Sequence, residues 1–118
     1  MERLKNRPDF LRAAKGVRRV ARAITLEVCE TPAAAAKPGV LRVGFTASRK
    51  IGGAVQRNRA KRRLRAAAAA VLPLSGHPGN DYVLVARRDA LTRPFAGLLE
   101  DLAAALHAAH AQLGRSTA

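Results

Sequence analysis

One stretch decides how this chain folds: residues 49–65 read RKIGGAVQRNRAKRRLR. The stretch contains eight Lys and Arg side chains and no acidic one. Lys and Arg are almost never fully buried without partners, so a segment this basic cannot form a core. Gly52 and Gly53 interrupt it, and the part that follows favours a helix with one side turned toward a polyanion.

That helix is predicted to run from about Ala54 to Leu72, because small and apolar residues recur at the three- and four-residue spacing of a buried helix face. The residues of this seam are Ala60, Leu64, Ala67, Ala68 and Val71. On a helical wheel, the polar residues lie opposite the seam (Asn58, Arg59, Arg62, Arg65) or on its flanks (Lys61, Arg63), while Arg57 lies nearer to it in the first turn.

The net charge of +14 is concentrated in two segments of this 118-residue chain. Residues 1–22 contain eight Lys and Arg against two acidic residues, which gives +6, and residues 49–65 contribute the other +8. If the fold brings the two segments together, they form one surface suited to neutralising phosphates and releasing counterions.

Length and composition narrow the class of protein. A chain of this length is expected to form one domain, residues 1–118, with a modest core. Cys29 is the only cysteine, which excludes an internal disulfide and a Cys-rich zinc site. The basic N-terminus has no apolar signal-peptide core and no segment is long enough to span a membrane, so a cytoplasmic protein without a membrane partner is expected.

The rest of the chain is predicted to alternate between helices and strands. A short helix begins near Pro8 and stops at Gly16, and an alternating strand lies within residues 20–30. A loop follows at residues 31–39, and a turn-rich loop at residues 73–80. Residues 1–6 and 114–118 are expected to be disordered.

Three further elements complete the prediction. Leu41, Val43, Phe45 and Ala47 alternate with Arg42, Gly44, Thr46 and Ser48, which predicts a strand with one core face. The second face is small and polar, so it either accepts something extended or is an ordinary solvated sheet face. Residues 82–86 form a continuous apolar run typical of a strand covered on both faces, and a last helix follows Thr92.

The sequence does not indicate a self-sufficient nuclease. Its eight acidic residues form no recognisable cluster for metal-dependent phosphodiester hydrolysis. His107 and His110 are three residues apart on the last helix, but no third ligand is evident. We therefore assign no metal site and expect both histidines to be polar residues facing solvent.

The order of elements and the junction at residues 46–65 together resemble the protein subunit of bacterial ribonuclease P. That family carries the signature [K/R]-K-I-G-x-A-V-x-R-N-R-x-K-R, which matches residues 49–62. The resemblance extends to Leu4-Lys5, to Asp9-Phe10 with Gly16, to Asp81-Tyr82 and to Ala86-Arg87-Arg88. It implies a small α+β domain with about four strands in a mainly antiparallel sheet, and a left-handed crossover around the Arg-Asn-Arg helix.

The resemblance also implies two RNA surfaces. One would contact the catalytic RNA through the basic helix, with Arg57, Asn58, Arg59, Lys61, Arg62, Arg63 and Arg65. The other would be a cleft for the 5′ leader of precursor tRNA, with Phe10, Ala14, Glu27, Thr46, Ser48, Arg49, Lys50, Arg87 and Arg88. Two family aromatics are replaced here by Ala14 and Glu27, which removes stacking platforms worth roughly 1–3 kcal/mol per base.

In this family the RNA subunit performs the hydrolysis, so the resemblance implies no catalytic residue in the protein and Mg²⁺ bound mainly by the RNA. The implied partners are the catalytic RNA and precursor tRNA, with no obligate protein partner. Glu27 is either an ordinary surface carboxylate or a group that holds a hydrated Mg²⁺ against phosphate. The competing interpretation is a stand-alone basic RNA-binding module, such as a ribosomal protein.

Overall fold

A computed structural model describes the backbone of residues 1–117 and the side chains of residues 1–114. It contains five strands and three α-helices, with short 3₁₀ turns at Arg49–Ile51 and Arg88–Leu91. In chain order the elements are β1 (Glu2–Arg3), α1 (Arg7–Ala14), β2 (Val17–Val20), β3 (Ile24–Glu30), β4 (Arg42–Ala47), α2 (Ala54–Ser75), β5 (Asn80–Ala86) and α3 (Phe95–Thr117).

The strands form a single mixed sheet in the order β1-β4-β5-β3-β2. β1 and β5 pair with β4 in parallel, whereas β3 pairs antiparallel with both β5 and β2. The α+β class is confirmed, but a mainly antiparallel sheet of four strands is wrong in its details. The parallel β4–α2–β5 unit is the predicted crossover, and its left hand stays a prediction.

Residues 1–6 were expected to be disordered, but the structure shows residues 2–4 paired with the sheet. Glu2 and Arg3 pair with Arg42 and Val43, and the backbone N–H of Leu4 donates to the Val43 carbonyl at 2.9 Å. The Leu4 side chain is only 5% exposed. The pairing depends on the free edge of β4, which is distant in sequence, so composition alone could not reveal it.

The C-terminal tail was also expected to be disordered, but α3 continues to Thr117. Leu113 still packs against the main core just before Gly114, which supports the helix near this point. Ala118 lies outside the described residues. α2 likewise exceeds its predicted end, because Pro73 falls in its last turn and the helix ends only at Ser75.

The sheet separates two unequal layers. α2 and α3 cover its inner face, where they enclose the main core with Leu26, Val28 and Leu84. α1 covers part of the outer face through a small cluster that includes Leu4, Ala13 and Val83. Four of the five predicted seam residues of α2 are fully buried, while Val71 is partly buried beside Leu72. The apolar run of β5 lies between both layers, which confirms the prediction for this strand.

Within residues 1–117, none of the helices is both long enough and apolar enough to cross a membrane.

Candidate nucleic-acid interface

The outer surface of α2 is cationic along its first three turns. Asn58, Arg59, Arg62 and Arg65 are exposed, and α2 contains no acidic residue. Their orientation follows from the burial of Ala60 and Leu64 on the opposite side. The wheel prediction for these four residues is therefore confirmed.

Arg57 and Lys61 border this surface as half-buried residues. Among the described residues, the buried Nε of Arg57 has no hydrogen-bond partner. An unpaired buried donor is costly, so a ligand that accepts a hydrogen bond here would remove a penalty.

Arg63 points away from the cationic surface. Its guanidinium donates to the Ala90 carbonyl at 2.7 Å and also to the Arg93 carbonyl. Both acceptors lie in the connection between β5 and α3, so Arg63 joins α2 to this segment. The wheel placed Arg63 on the flank of the seam together with Lys61, so no signal in the sequence distinguished the two residues.

A groove separates α1 from the outer sheet face. Four predicted leader residues line it together with Lys5 and Arg7, namely Phe10, Ala14, Glu27 and Thr46. The groove has a volume of about 490 Å³. Its shape depends on Gly44, because a Cβ there would come within 2.6 Å of the Phe10 ring. Phe10 therefore lies against the sheet backbone and forms one wall of the groove.

The other predicted leader residues lie beyond the groove, at the ends of β4 and β5. Ser48, Lys50, Arg87 and Arg88 line a second hollow of similar volume, about 490 Å³. Arg49 is exposed on the 3₁₀ turn between β4 and α2. The structure thus divides the predicted cleft into two hollows, with Arg49 on the turn beside them.

Arg42 was expected on an open sheet face, but it is only 8% exposed. Its Nε donates to Asp81 Oδ1 at 2.8 Å and one terminal nitrogen to Asp81 Oδ2 at 2.6 Å. The same nitrogen lies 3.3 Å from Asp9 Oδ1 on α1. α1 covers this end of the face, so the bidentate pair is shielded from water and links α1 to the sheet.

Protonation equilibria in this network follow from its contacts. The hydrogen bonds that Arg42 donates to Asp81 raise the pKa of Arg42 further above its ordinary value. The hydrogen bond from Arg12 holds the pKa of Asp9 below its usual range, with Arg42 adding to the effect. Both groups are therefore charged at neutral pH, and the link between α1 and the sheet is ionic.

Glu27 is the one acidic residue lining the groove. Its side chain is largely buried, and its Oε2 lies 4.0 Å from Nε of Arg18 on β2. Burial raises the pKa of Glu27, and the positive charge of Arg18 opposes this effect. Glu27 therefore places a carboxylate in the same groove as Lys5 and Arg7. Its ion-pair partner is Arg18, at the long distance of 4.0 Å.

One of the two histidines of the last helix differs from its predicted solvent-facing role. His107 is exposed as expected, but His110 is half-buried. Its ring stacks on His77 with centroids 3.6 Å apart, and its Nε2 lies 2.7 Å from the Tyr82 hydroxyl. Burial lowers the pKa of His110, and the two neighbouring histidines lower it further. This cluster holds the C-terminal part of α3 against the loop before β5.

Metal ligands do not gather in the part of the chain that the structure describes. No three His, Cys, Asp or Glu side chains come close enough to hold one ion. Among the described residues, Glu27 therefore stands in the groove without two further ligating side chains beside it.

Together these features define a class: a small, basic α+β protein with a cationic helix beside an open groove, as expected for binding nucleic acid. The comparisons with known proteins agree. The model of the family described as Ribonuclease P matches residues 1–110. This chain belongs to the ribonuclease P protein family.

Relatives and solved structures support this membership. The chain is 51% identical over 109 residues to the ribonuclease P protein component of Ruegeria pomeroyi, covering 92% of this chain and 86% of the relative. It is 49% identical over 114 residues to that of Caulobacter vibrioides, covering 97% and 74%. The fold is similar to the RNase P protein of Staphylococcus aureus, with TM-score 0.69, 26% identity and coverage of 92% and 95%.

Proposed function

We propose that this chain is the protein subunit of ribonuclease P and assists the endonucleolytic removal of the 5′ leader from precursor tRNA. The observation that carries the proposal is the position of the β4–α2 junction. β4 ends at Ala47 beside the groove, and α2 begins at Ala54 with its cationic face exposed. One short connection therefore joins a surface for an unpaired strand to a surface for a folded RNA.

The exposed face of α2 binds the catalytic RNA in this proposal. The residues that serve this contact are Arg57, Asn58, Arg59, Lys61, Arg62 and Arg65. Because α2 carries no carboxylate, no acidic side chain of this helix reduces the attraction between its cations and the RNA phosphates. The affinity for the catalytic RNA should therefore fall steeply as the salt concentration rises. Arg63 acts differently, since its hydrogen bonds to two backbone carbonyls position α2 instead of reaching outward.

The leader lies in the groove between α1 and the sheet and continues into the second hollow. The residues that serve it there are Ser48, Lys50, Arg87 and Arg88, with Arg49 on the turn beside them. Phe10 offers one ring in the groove, while Ala14 and Glu27 offer none, so stacking supplies little of the affinity. Lys5 and Arg7 line the groove and can contact the leader backbone through its phosphates. Leader binding is therefore driven mainly by charge and depends little on base identity.

The hydrolysis itself is assigned to the RNA subunit, and Mg²⁺ is bound mainly by that RNA. The protein lowers phosphate repulsion between the catalytic RNA and the leader by placing cations between them. No protein side chain serves as a catalytic group in this proposal. The subunit acts in the cytoplasm with the catalytic RNA and precursor tRNA, and it needs no other protein.

Reconstitution with the ribonuclease P RNA of the same organism tests the proposal. At low Mg²⁺, the protein should stimulate cleavage of precursor tRNA at the mature 5′ end over the RNA alone. The control is the same cleavage reaction with an unrelated basic protein of equal charge in place of this protein. Equal cleavage with and without this protein would reject the subunit role and favour a stand-alone RNA-binding module.

A second experiment tests the docking face. Arg57→Ala combined with Arg59→Ala should weaken binding to the catalytic RNA and reduce the salt dependence of that binding. Lys15→Ala combined with Lys37→Ala removes the same charge from exposed sites elsewhere and should have a smaller effect. Circular dichroism must show unchanged helix content, since a loss of helix would mean that the two arginines are structural.

A further inference from the structure

A small pocket lies between the β1 edge of the sheet and α2. Its volume is about 210 Å³, and its lining residues are Met1, Arg3, Val43, Phe45 and Arg65. Val43 belongs to the main core and Phe45 packs against that core, so the floor of the pocket is apolar. This concavity is called the edge pocket below. Of its lining residues, only Arg65 serves the proposed function.

The edge pocket exists because β1 is shorter than β4. Arg3 is the last residue of β1 and pairs with Val43, whereas β4 continues to Ala47. In the part of the chain that the structure describes, no strand pairs with Phe45 on this side. The Phe45 ring is therefore only partly buried, and the space beyond the end of β1 remains open beside it.

The edge pocket and the α1 groove belong to opposite faces of the sheet. Successive side chains of a strand point to opposite faces. Val43 and Phe45 pack with the main core, whereas Thr46 lines the groove. Phe45 also borders the groove at the sheet edge, but its packing against the core places its ring on the side of α2. The edge pocket is therefore continuous with the cationic face of α2, through Arg65.

Two arginines flank the edge pocket without an acidic partner. The side chains of Arg3 and Arg65 are exposed, and neither forms an ion pair within residues 1–114. The guanidinium of Arg3 lies over the Phe45 ring, 5.4 Å from its centroid. A cation–π contact is weak at an exposed site, so a planar ligand can take the place of the guanidinium on the ring.

An aromatic floor between two arginines has the chemistry of a nucleotide site. Unpaired bases stack on aromatic rings and on guanidinium planes, and Arg binds the neighbouring phosphates. Pockets that enclose a drug-sized ligand measure roughly 300–1,000 Å³, so the smaller edge pocket suits a single planar ring system. An acidic peptide would pair with the arginines but would leave the Phe45 ring without a stacking partner.

We infer that the edge pocket holds one unpaired base of the catalytic RNA, stacked on Phe45, with Arg3 and Arg65 at the adjacent phosphates. The inference rests on the proposed function and adds a stacking contact to it, because the exposed face of α2 offers mainly charge. Arg65 joins the two parts, since it lies on α2 and also lines the pocket. The RNA that lies along α2 can therefore turn one base toward the sheet edge.

Binding of the full-length protein to the catalytic RNA tests the inference. The dissociation constant is measured over a range of salt concentrations for the unchanged protein, Phe45→Leu, Phe45→Tyr and Arg3→Gln. Phe95→Leu is the matched control, because Phe95 is an exposed phenylalanine at the start of α3. The affinity of each holoenzyme for precursor tRNA with and without a leader, urea unfolding, and base-specific chemical probing of the bound RNA complete the set.

Loss of stacking on one base should weaken the binding of Phe45→Leu at least about fivefold. The salt slope should not change, because stacking releases no counterions, whereas Arg3→Gln should lower the slope by roughly 0.7–0.9. Phe45→Tyr keeps the ring and Phe95→Leu alters a distant site, so both should bind like the unchanged protein. Chemical probing should show one base that the unchanged protein protects and that becomes reactive with Phe45→Leu. Arg3→Gln changes an exposed side chain, so it tests the pocket even if Phe45→Leu lowers the urea midpoint.

Three results would overturn the inference. The first is equal affinity of Phe45→Leu and the unchanged protein, or an unchanged salt slope for Arg3→Gln. The second is a matching loss for Phe95→Leu, since the effect would then not be local. The third is a loss that appears only with precursor tRNA carrying a leader, because the pocket would then hold a leader base. The proposed function fails separately, if the unchanged protein gives no stimulation of cleavage.

Discussion

Replacement of Arg42 by Met should destabilise the protein strongly and loosen α1. The Asp81 carboxylate is 0% exposed and accepts two hydrogen bonds from Arg42, at 2.8 and 2.6 Å. Its other donor is the hydroxyl of Thr31 at 2.8 Å. Met fills much of the volume of Arg but supplies neither charge nor donors, so Asp81 would remain buried with a single hydrogen bond.

The magnitude follows from that contact list. Breaking a buried ion pair by removing one partner costs roughly 3–5 kcal/mol, because the remaining charge is uncompensated. Domains of this size have a free energy of unfolding of about 5–15 kcal/mol, so the loss is a large part of the total stability. Arg42 also contacts Asp9 on α1, which forms one side of the groove. This variant should therefore lose more affinity for precursor tRNA than for the catalytic RNA.

Urea unfolding followed by circular dichroism measures the effect, with the double variant Arg42→Met and Asp81→Asn as the control. Removal of the orphaned charge should recover part of the lost free energy of unfolding. A loss below about 1 kcal/mol for the single variant, typical of an exposed pair, would refute the reasoning. Equal losses in both variants would show that volume rather than charge causes the effect.

Three further predictions concern the groove and the histidine cluster. Glu27→Gln removes the carboxylate from the groove and should tighten leader binding several-fold, whereas Glu30→Gln, at the exposed end of β3, should not; equal effects would contradict a local cause. Gly44→Ala forces the Phe10 ring to move and should lower stability by roughly 1–3 kcal/mol, together with leader affinity; an unchanged urea midpoint would contradict this. Burial lowers the pKa of His110 in the fold, so its stabilising contribution is complete above the ordinary value of about 6.5 and is lost as the pH falls below it. His110→Gln should flatten stability between pH 7 and 5, and an unchanged slope would exclude this histidine as the cause.

The parts of the fold that could be predicted from the sequence are those with strong local patterns. The buried side of α2 follows from the spacing of Ala60 and Leu64, and its cationic side follows from the same wheel. β5 was predictable because a run of five consecutive apolar residues is typical of a strand covered on both faces. The candidate leader residues were assigned through the resemblance to the family, and the structure brings most of them to two adjacent hollows.

The missed β1 and the buried ion pair of Arg42 depend on partners that are distant in the chain, whereas β2 was missed because of its own composition. β1 has two residues and exists only because the edge of β4 is free. β2 carries two arginines within four residues, which hides its alternation. The face of Arg42 was predicted correctly, but periodicity cannot show that α1 covers that face or that Asp81 lies beside it.

The basic stretch at residues 49–65 is divided between two surfaces, the second hollow and the exposed face of α2. The turn that joins β4 to α2 explains this division. After β4 ends, the chain passes through a 3₁₀ turn at Arg49–Ile51 whose Ile51 is buried, and then through two glycines. This anchored turn holds Lys50 at the second hollow, while α2 continues with its exposed arginines on the other side. A flexible linker would let both sets of cations bind one RNA. A fixed junction instead keeps the two sets on separate surfaces, so that in the proposed function the leader and the catalytic RNA do not compete for the same cations.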